Sequence, residues 1–160
     1  MIVRAPIFNR IYEAHRENKN FQRLLFEYLK NTDDERAENY RYIGNFLSTD
    51  KSYSDFQDLK LSEKIFKKGL KDLSSRIKAK QKSGEDAYFL EAIKCELIFE
   101  TGIFYFLTDR PKKGVKYFEI GYEKEDGEEQ PKCSGAMPAR TKEEFDFIFA
   151  QFEKYRKKKN

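Results

Sequence analysis

The chain has 160 residues, of which 38% are charged and 39% are hydrophobic, with 15 Phe and 10 Tyr. This length suits one domain with its own hydrophobic core, and the apolar share excludes a wholly disordered chain. A net charge of +4, from 32 basic and 28 acidic residues, excludes a chain that is strongly basic throughout. We therefore predict a single domain over residues 1–160.

The cysteines and the apolar segments bear on the compartment. Cys95 and Cys133 are the cysteines of the chain, and two are too few for the disulfide framework of a small secreted protein. The first residues contain no apolar run of signal-peptide length, and Glu96 and Glu100 interrupt the longest apolar stretch. We expect a cytoplasmic protein that does not cross a membrane. Cys95 should be buried and unreactive, and Cys133 should be accessible in a loop.

Apolar side chains at helical spacing mark the first elements. From Phe21 they recur at i, i+3, i+4, i+7 and i+8, which predicts a helix with one buried side. Asp33 and Asp34 suit the first turn of a second helix, because carboxylates stabilise the positive end of the helix dipole. This second helix should run to about Leu47, and the polar residues 48–58 should form a loop.

The middle of the chain predicts two long helices. A 3.6-residue apolar period runs from Leu61 to Ile77 and stops at Ser83-Gly84, where glycine suits a helix C-terminus. Residues 85–107 are apolar on more than one side. They should therefore form the central helix of the domain.

The last third of the chain has mixed signals. Residues 114–122 fit either a helix or a strand, and Asp126-Gly127 is a turn signal. Thr141 followed by Glu144 is typical of a capping box, which predicts a C-terminal helix over about 141–158. The predicted fold class is mainly all-α, built from antiparallel helical hairpins. One small β-hairpin around 114–130 is an optional addition.

Two segments share an order of small and large residues. Ile43-Gly44-x-x-Leu47 precedes Ser62-x-x-x-Phe66-x-x-Gly69, and Thr101-Gly102-x-x-Tyr105 precedes Gly114-x-x-x-Phe118-x-x-Gly121. Small residues at this spacing let two antiparallel helices cross closely, because they leave room for a ring from the facing helix. We therefore predict equivalent packing roles for Phe66 and Phe118.

This order resembles the tetratricopeptide repeat (TPR), in which a small residue and an aromatic mark the first helix and small, aromatic and small residues mark the second. The TPR-like resemblance covers about residues 37–72 and 95–126. The sequence departs from the family in a longer loop in the first block, in the missing closing proline, and in Gly at Gly69, Gly114 and Gly121 where Ala is usual. An unrelated helical domain is the alternative.

The resemblance implies a concave face, formed by the first helix of each block, that would bind a peptide or an amphipathic partner helix. Carried over position by position, this face contains Glu38, Arg41, Asn45 and Ser48 from the first block and Glu96, Phe99, Ile103 and Phe106 from the second. The alternative for Phe99, Ile103 and Phe106 is burial in the core, which their bulk favours.

Basic residues are concentrated in the segment from Lys67 to Lys82. A nucleic acid is a possible partner of this segment, through Lys67, Lys68, Lys71, Arg76 and Lys78. The alternative is an ordinary solvated helix face without a ligand.

The single histidine is the residue that could carry acid-base chemistry. Arg10 and His15 have the spacing Arg-x-x-x-x-His, which is similar to the motif of the HEPN ribonucleases. In that family two such motifs meet across a dimer and cleave RNA. The alternative is a structural histidine beside Ile11, at the rim of an apolar helix face.

Common catalytic motifs are missing from the sequence. It has no Gly-rich phosphate loop, no Cys or His cluster at metal spacing and no Gly-x-Ser-x-Gly. We expect no metal and no cofactor, and a binding protein rather than an enzyme. The predicted function is protein–protein interaction of an adaptor, chaperone or inhibitor type, through Arg41, Asn45, Phe99, Ile103 and Phe106. The alternative is RNA binding, or HEPN-like RNA cleavage with Arg10 and His15.

Overall fold

A computed structural model gives the fold of residues 10, 14, 18, 20–31, 37–48, 57–125, 128–131 and 141–156. These residues are mainly helical, as predicted. In chain order the elements are α1 (Phe21–Lys30), α2 (Asn39–Phe46), α3 (Leu59–Ser83), α4 (Tyr88–Leu107), α5 (Pro111–Gly121), β1 (Tyr122–Glu125), β2 (Glu128–Pro131) and α6 (Lys142–Tyr155). Packing divides the chain into two compact units, Met1–Lys94 and Cys95–Asn160.

Side-chain and glycine caps fix the ends of the helices. The Asp58 carboxylate accepts a hydrogen bond from the Leu61 amide at 2.9 Å and so begins α3. Gly84 ends α3 with a φ of 76°, a conformation that glycine adopts without steric cost. The Thr141 hydroxyl accepts a hydrogen bond from the Glu144 amide at 3.2 Å. The predicted start of the last helix is therefore confirmed.

The segment that fitted both a helix and a strand contains the end of a helix and the start of a strand. Pro111 begins α5, as its fixed φ favours at the first helical position, and Val115 and Phe118 bury one side of that helix. The chain then enters a β-hairpin, in which Tyr122 lies opposite Pro131 in an antiparallel register. The optional β-hairpin is thus present, and its turn at 126–127 lies outside the described residues.

In the first unit, α2 and α3 pack around a glycine. A Cβ atom on Gly44 would lie 2.5 Å from Cε1 of Phe66, so the ring fills the space that a side chain would need. The Gly44 carbonyl accepts hydrogen bonds from the hydroxyls of Ser48 and Ser62, both at 2.8 Å. Close approach and hydrogen bonding therefore hold these two helices together at one point.

In the second unit, α4 and α5 pack through three glycine–phenylalanine pairs. A Cβ on each glycine would lie between 2.5 and 2.9 Å from the partner ring, and the pairs are Phe99 with Gly121, Gly102 with Phe118, and Phe106 with Gly114. Each step forward along α4 is matched by an equal step back along α5, so the two helices are antiparallel. Phe118 contacts Phe99 and Phe106 edge-on, with centroid distances of 5.5 and 5.1 Å, a favourable aromatic geometry.

Phe66 and Phe118 pack in the same way against the helix that precedes each of them. Phe66 and Phe118 are both 0% exposed, and each ring lies over a glycine of the preceding helix. The equivalent packing roles predicted for these two rings are therefore confirmed.

Cys95 differs from its prediction. The residue is half-buried rather than buried, and it is disulfide-bonded. Cys133 lies outside the described residues. Because structural disulfides persist mainly in oxidising compartments, this bond does not support the predicted cytoplasmic location. None of the described helices combines the length and the apolar character needed to cross a bilayer.

We predict that Gly44→Ala and Gly102→Ala each lower the free energy of unfolding by about 1–3 kcal/mol, because the new methyl group overpacks against a buried ring. Without that contact the substitution would stabilise a helix interior by up to about 1 kcal/mol. Urea unfolding gives the sign directly, and exposed Ser75→Ala is the neutral control. Stabilisation by either glycine substitution would contradict the packing described above.

We predict that Cys95 does not react with a maleimide in the native, unreduced protein. Cys133 is the only other cysteine of the chain, so an intrachain bond requires it, and Cys133→Ser should then release one reactive thiol at Cys95. Peptide mapping by mass spectrometry measures both results. Labelling of Cys95 in the wild-type protein, purified without reductant, would show that the bond is absent.

Candidate nucleic-acid interface

The outer side of α3 carries a row of lysines. Each residue of a helix turns by 100° and rises by 1.5 Å, so residues three, four or seven positions apart share one face. The exposed lysines of α3 follow this spacing. They span an arc of about 100° and a length of about 33 Å and are called here the lysine face: Lys60, Lys64, Lys67, Lys68, Lys71, Lys78 and Lys82.

The lysine face is exposed because the opposite side of α3 forms part of the core of the first unit. Ile65, Phe66 and Leu73 are each 0% exposed, and Ile77 is 7% exposed. The helix is thus strongly amphipathic, and packing fixes its rotation. Because the apolar stripe faces inward, the lysines must point into solvent.

Within α3 itself, the acidic side chain of Glu63 borders the lysine face. Glu63 Oε1 lies 2.7 Å from Lys67 Nζ, in a pair one helical turn apart. A pair at this spacing on a helix surface contributes about 0.2–0.5 kcal/mol. An anionic ligand would therefore compete with Glu63 for Lys67 at low energetic cost. Within the arc itself, the remaining exposed residue between Lys71 and Lys78 is the neutral Ser75.

Arg76 does not lie on the lysine face, which corrects its assignment to the nucleic-acid site. Its Nη1 lies 4.0 Å from Oδ2 of Asp72, and the two side chains are only 20% and 15% exposed. On the helix, Arg76 is rotated by about 160° from Lys60, towards the buried side of α3. The arginine therefore serves the interior of the first unit rather than its surface.

Tyr40 completes a polar cluster with Asp72 and Arg76. Tyr40 is 0% exposed, and burial raises the pKa of its phenol well above the ordinary value. The negative charge of Asp72 raises this pKa further, whereas the positive charge of Arg76 lowers it. The hydroxyl therefore stays protonated, so the cluster contains one ion pair and one neutral group.

The polar half of the predicted protein-binding face lies on α2. Arg41 and Asn45 are both partly exposed, one turn apart. The Arg41 guanidinium lies 3.8 Å from Glu38 and 4.9 Å from the centre of the Tyr42 ring. Tyr42 is 45% exposed and was missed by the sequence analysis. Ser48, by contrast, is buried and donates to Gly44.

The apolar half of the predicted face is part of a core. Phe99, Ile103 and Phe106 are at most 2% exposed and pack with Val115 and Phe118. These three side chains present no surface to a partner in this structure. Burial in the core, the alternative that the sequence left open, is therefore the role that the packing supports.

The predicted nuclease motif is only partly described. Arg10 is helical and exposed, and His15 lies outside the described residues. No group of three or more His, Cys, Asp or Glu side chains suited to a metal ion occurs in the part of the chain that the structure describes.

Two members of the lysine face precede the basic segment from Lys67 to Lys82 and were not singled out from the sequence: Lys60 and Lys64. The sequence does contain the signal that places them there. Once the start of α3 at Leu59 is known, a rotation of 100° per residue assigns every lysine to a side. Grouping basic residues by their closeness along the chain instead mixed outward lysines with the inward Arg76.

Comparison of the chain with protein-family models, characterised proteins and solved structures gives no match.

We predict that Tyr40→Phe removes part of the alkaline loss of stability. Above about pH 10 an unfolded tyrosine ionises while buried Tyr40 keeps its proton, so unfolding releases a proton and stability falls as pH rises. One such proton lowers the free energy of unfolding by about 1.4 kcal/mol per pH unit. Urea unfolding between about pH 9 and 11 should show a shallower decline for Tyr40→Phe. Exposed Tyr88→Phe is the control and should retain the wild-type decline, and equal declines in both variants would contradict the cluster.

Proposed function

We propose that this protein binds nucleic acid through the lysine face of α3. The observation that carries the proposal is the alignment of exposed lysines along one side of one continuous helix. Lysine ammonium groups neutralise phosphates and release condensed counterions, which is the main source of sequence-independent affinity for nucleic acids. The net charge of the whole chain is only +4, whereas the lysine face alone carries seven positive charges.

The burial of the apolar side of α3 favours a nucleic acid over an anionic membrane as the ligand of the lysine face. A helix that lies in a membrane interface inserts an apolar side between the lipid headgroups. The apolar side of α3 is instead occupied by the core of its own unit. The lysine face can therefore offer charge alone, which matches a linear polymer with regularly repeated phosphates.

The interaction of a protein partner with α2 is the second candidate function. Arg41 and Tyr42 are the residue types that most often anchor protein interfaces, and both have solvent-accessible surface beside Asn45. An acidic protein could also bind the lysine face.

An RNA-cleaving function through Arg10 and His15 stays a prediction, and recovery of shortened RNA after incubation would favour it.

We predict that the triple variant Lys64→Gln, Lys71→Gln, Lys78→Gln weakens binding of a labelled mixed-sequence oligonucleotide by about 100-fold at low salt. This figure takes roughly 1 kcal/mol for each exposed lysine–phosphate contact. Fluorescence anisotropy gives the dissociation constants, and circular dichroism checks that the variant remains folded. Glutamine preserves the helix propensity of α3.

The matched control changes the same charge elsewhere. Lys112, Lys116 and Lys142 are exposed and lie outside α3, so replacing them with glutamine should alter the dissociation constant by no more than about threefold. Equal weakening by both triple variants would show that binding depends on the net charge of the protein and not on the lysine face. Absence of binding by the wild-type protein at low salt would refute the proposal, and the test would then turn to an acidic protein ligand.

A further inference from the structure

The shape of the lysine face bears on which form of nucleic acid it can bind. This inference rests on the proposed function and specifies its ligand. Only one narrow side of α3 is available, because α2 packs against Phe66 and Ser62 on the inner side and the apolar stripe is buried. A helix that is packed on its inner side can still place its outer side in the major groove of a duplex. The groove winds around the duplex axis, however, so a helix contacts it over only part of a row of lysines about 33 Å long.

A duplex and a single strand differ in how many phosphates they can bring to a row of lysines. Each strand of a duplex winds around the axis once in about 34 Å, which is close to the length of about 33 Å that we obtain for the lysine face. A duplex lying along α3 would thus bring each of its two backbones to the lysines about once. The lysines between these crossings would face a groove rather than phosphates. A single strand is flexible and can follow the row from Lys60 to Lys82.

The composition of the lysine face also indicates how the strand is held. Its exposed arc contains lysines and Ser75, with no aromatic side chain among them. Stacking of bases on aromatic rings, which gives many single-strand binders part of their affinity, is therefore absent along α3. Contacts to phosphates alone carry no sequence information.

We propose that the lysine face binds single-stranded nucleic acid in preference to duplex, by its backbone and without sequence preference. At a rise of 3.4 Å per nucleotide, a stacked strand would cover the row of lysines with about ten nucleotides. An extended strand would need fewer. Ser75 leaves a gap of about two turns between Lys71 and Lys78, across which the strand is not held.

The test measures how binding depends on salt for one labelled strand and for the duplex made from it. The logarithm of the association constant falls with the logarithm of salt concentration by about 0.7 for each phosphate neutralised on a single strand and by about 0.9 on a duplex. Seven lysines predict a slope near −5 for the strand. Two crossings with one or two phosphates each predict a slope near −3 for the duplex.

Paired substitutions then locate the contacts along α3. Lys60→Gln with Lys64→Gln, Lys68→Gln with Lys71→Gln, and Lys78→Gln with Lys82→Gln should each reduce the steepness of the single-strand slope by about 1.4. For the duplex the three pairs should differ, because only lysines at a crossing touch phosphate. Replacing Lys112 and Lys116 with glutamine is the matched control and should leave both slopes unchanged.

The outcomes separate this inference from the proposed function. A duplex slope as steep as that of the strand, with equal effects of the three pairs, would overturn the single-strand preference and leave nucleic-acid binding in place. Binding that none of the three pairs affects would move the site away from α3 and overturn both. A steep strand slope reduced equally by each pair, beside a shallower duplex slope, supports the inference.

Discussion

The close contact between glycine and phenylalanine is the constraint on which the rest of the fold depends. At Gly44 and Gly102 the missing side chain admits a ring from the next helix, so the two backbones approach more closely than larger residues would permit. Glycine weakens each helix by about 1 kcal/mol, and burial of a complete phenyl ring offsets this. Once Phe66 is fixed, the rotation of α3 is fixed, and with it the side on which the lysines lie.

Charged residues of α3 have two distinct roles that depend on their rotation about the helix. Asp72 and Arg76 face the interior beside the neutral phenol of Tyr40, where each charge depends on its partner for stabilisation. Lysines on the other side are in water, where each is individually dispensable for folding. The inward charged residues of α3 therefore contribute to the fold, whereas its outward lysines form the proposed interface.

Much of the fold could be predicted from the sequence because its signals are local. Periodic apolar residues located α1 and α3, and a segment apolar on more than one side located α4. The order of small and large residues predicted the packing of Phe66 and Phe118 on glycine. The exposure of Leu24, at 59%, could not be read from the same period, because it depends on which elements pack beside α1. The site was harder still. Arg76 and Lys78 are two residues apart in sequence, but only the rotation of α3 puts them on different sides.

Repulsion between lysines of the lysine face also destabilises α3. Four pairs of lysines lie four residues apart, Lys60 with Lys64, Lys64 with Lys68, Lys67 with Lys71, and Lys78 with Lys82, and such pairs of like charge each destabilise a helix by about 0.2–0.5 kcal/mol. Dissolved salt screens this repulsion and so strengthens the fold, while the same salt weakens the attraction to phosphates. Salt should thus drive stability and binding in opposite directions, and a bound polyanion would relieve in the helix the same repulsion that attracts it.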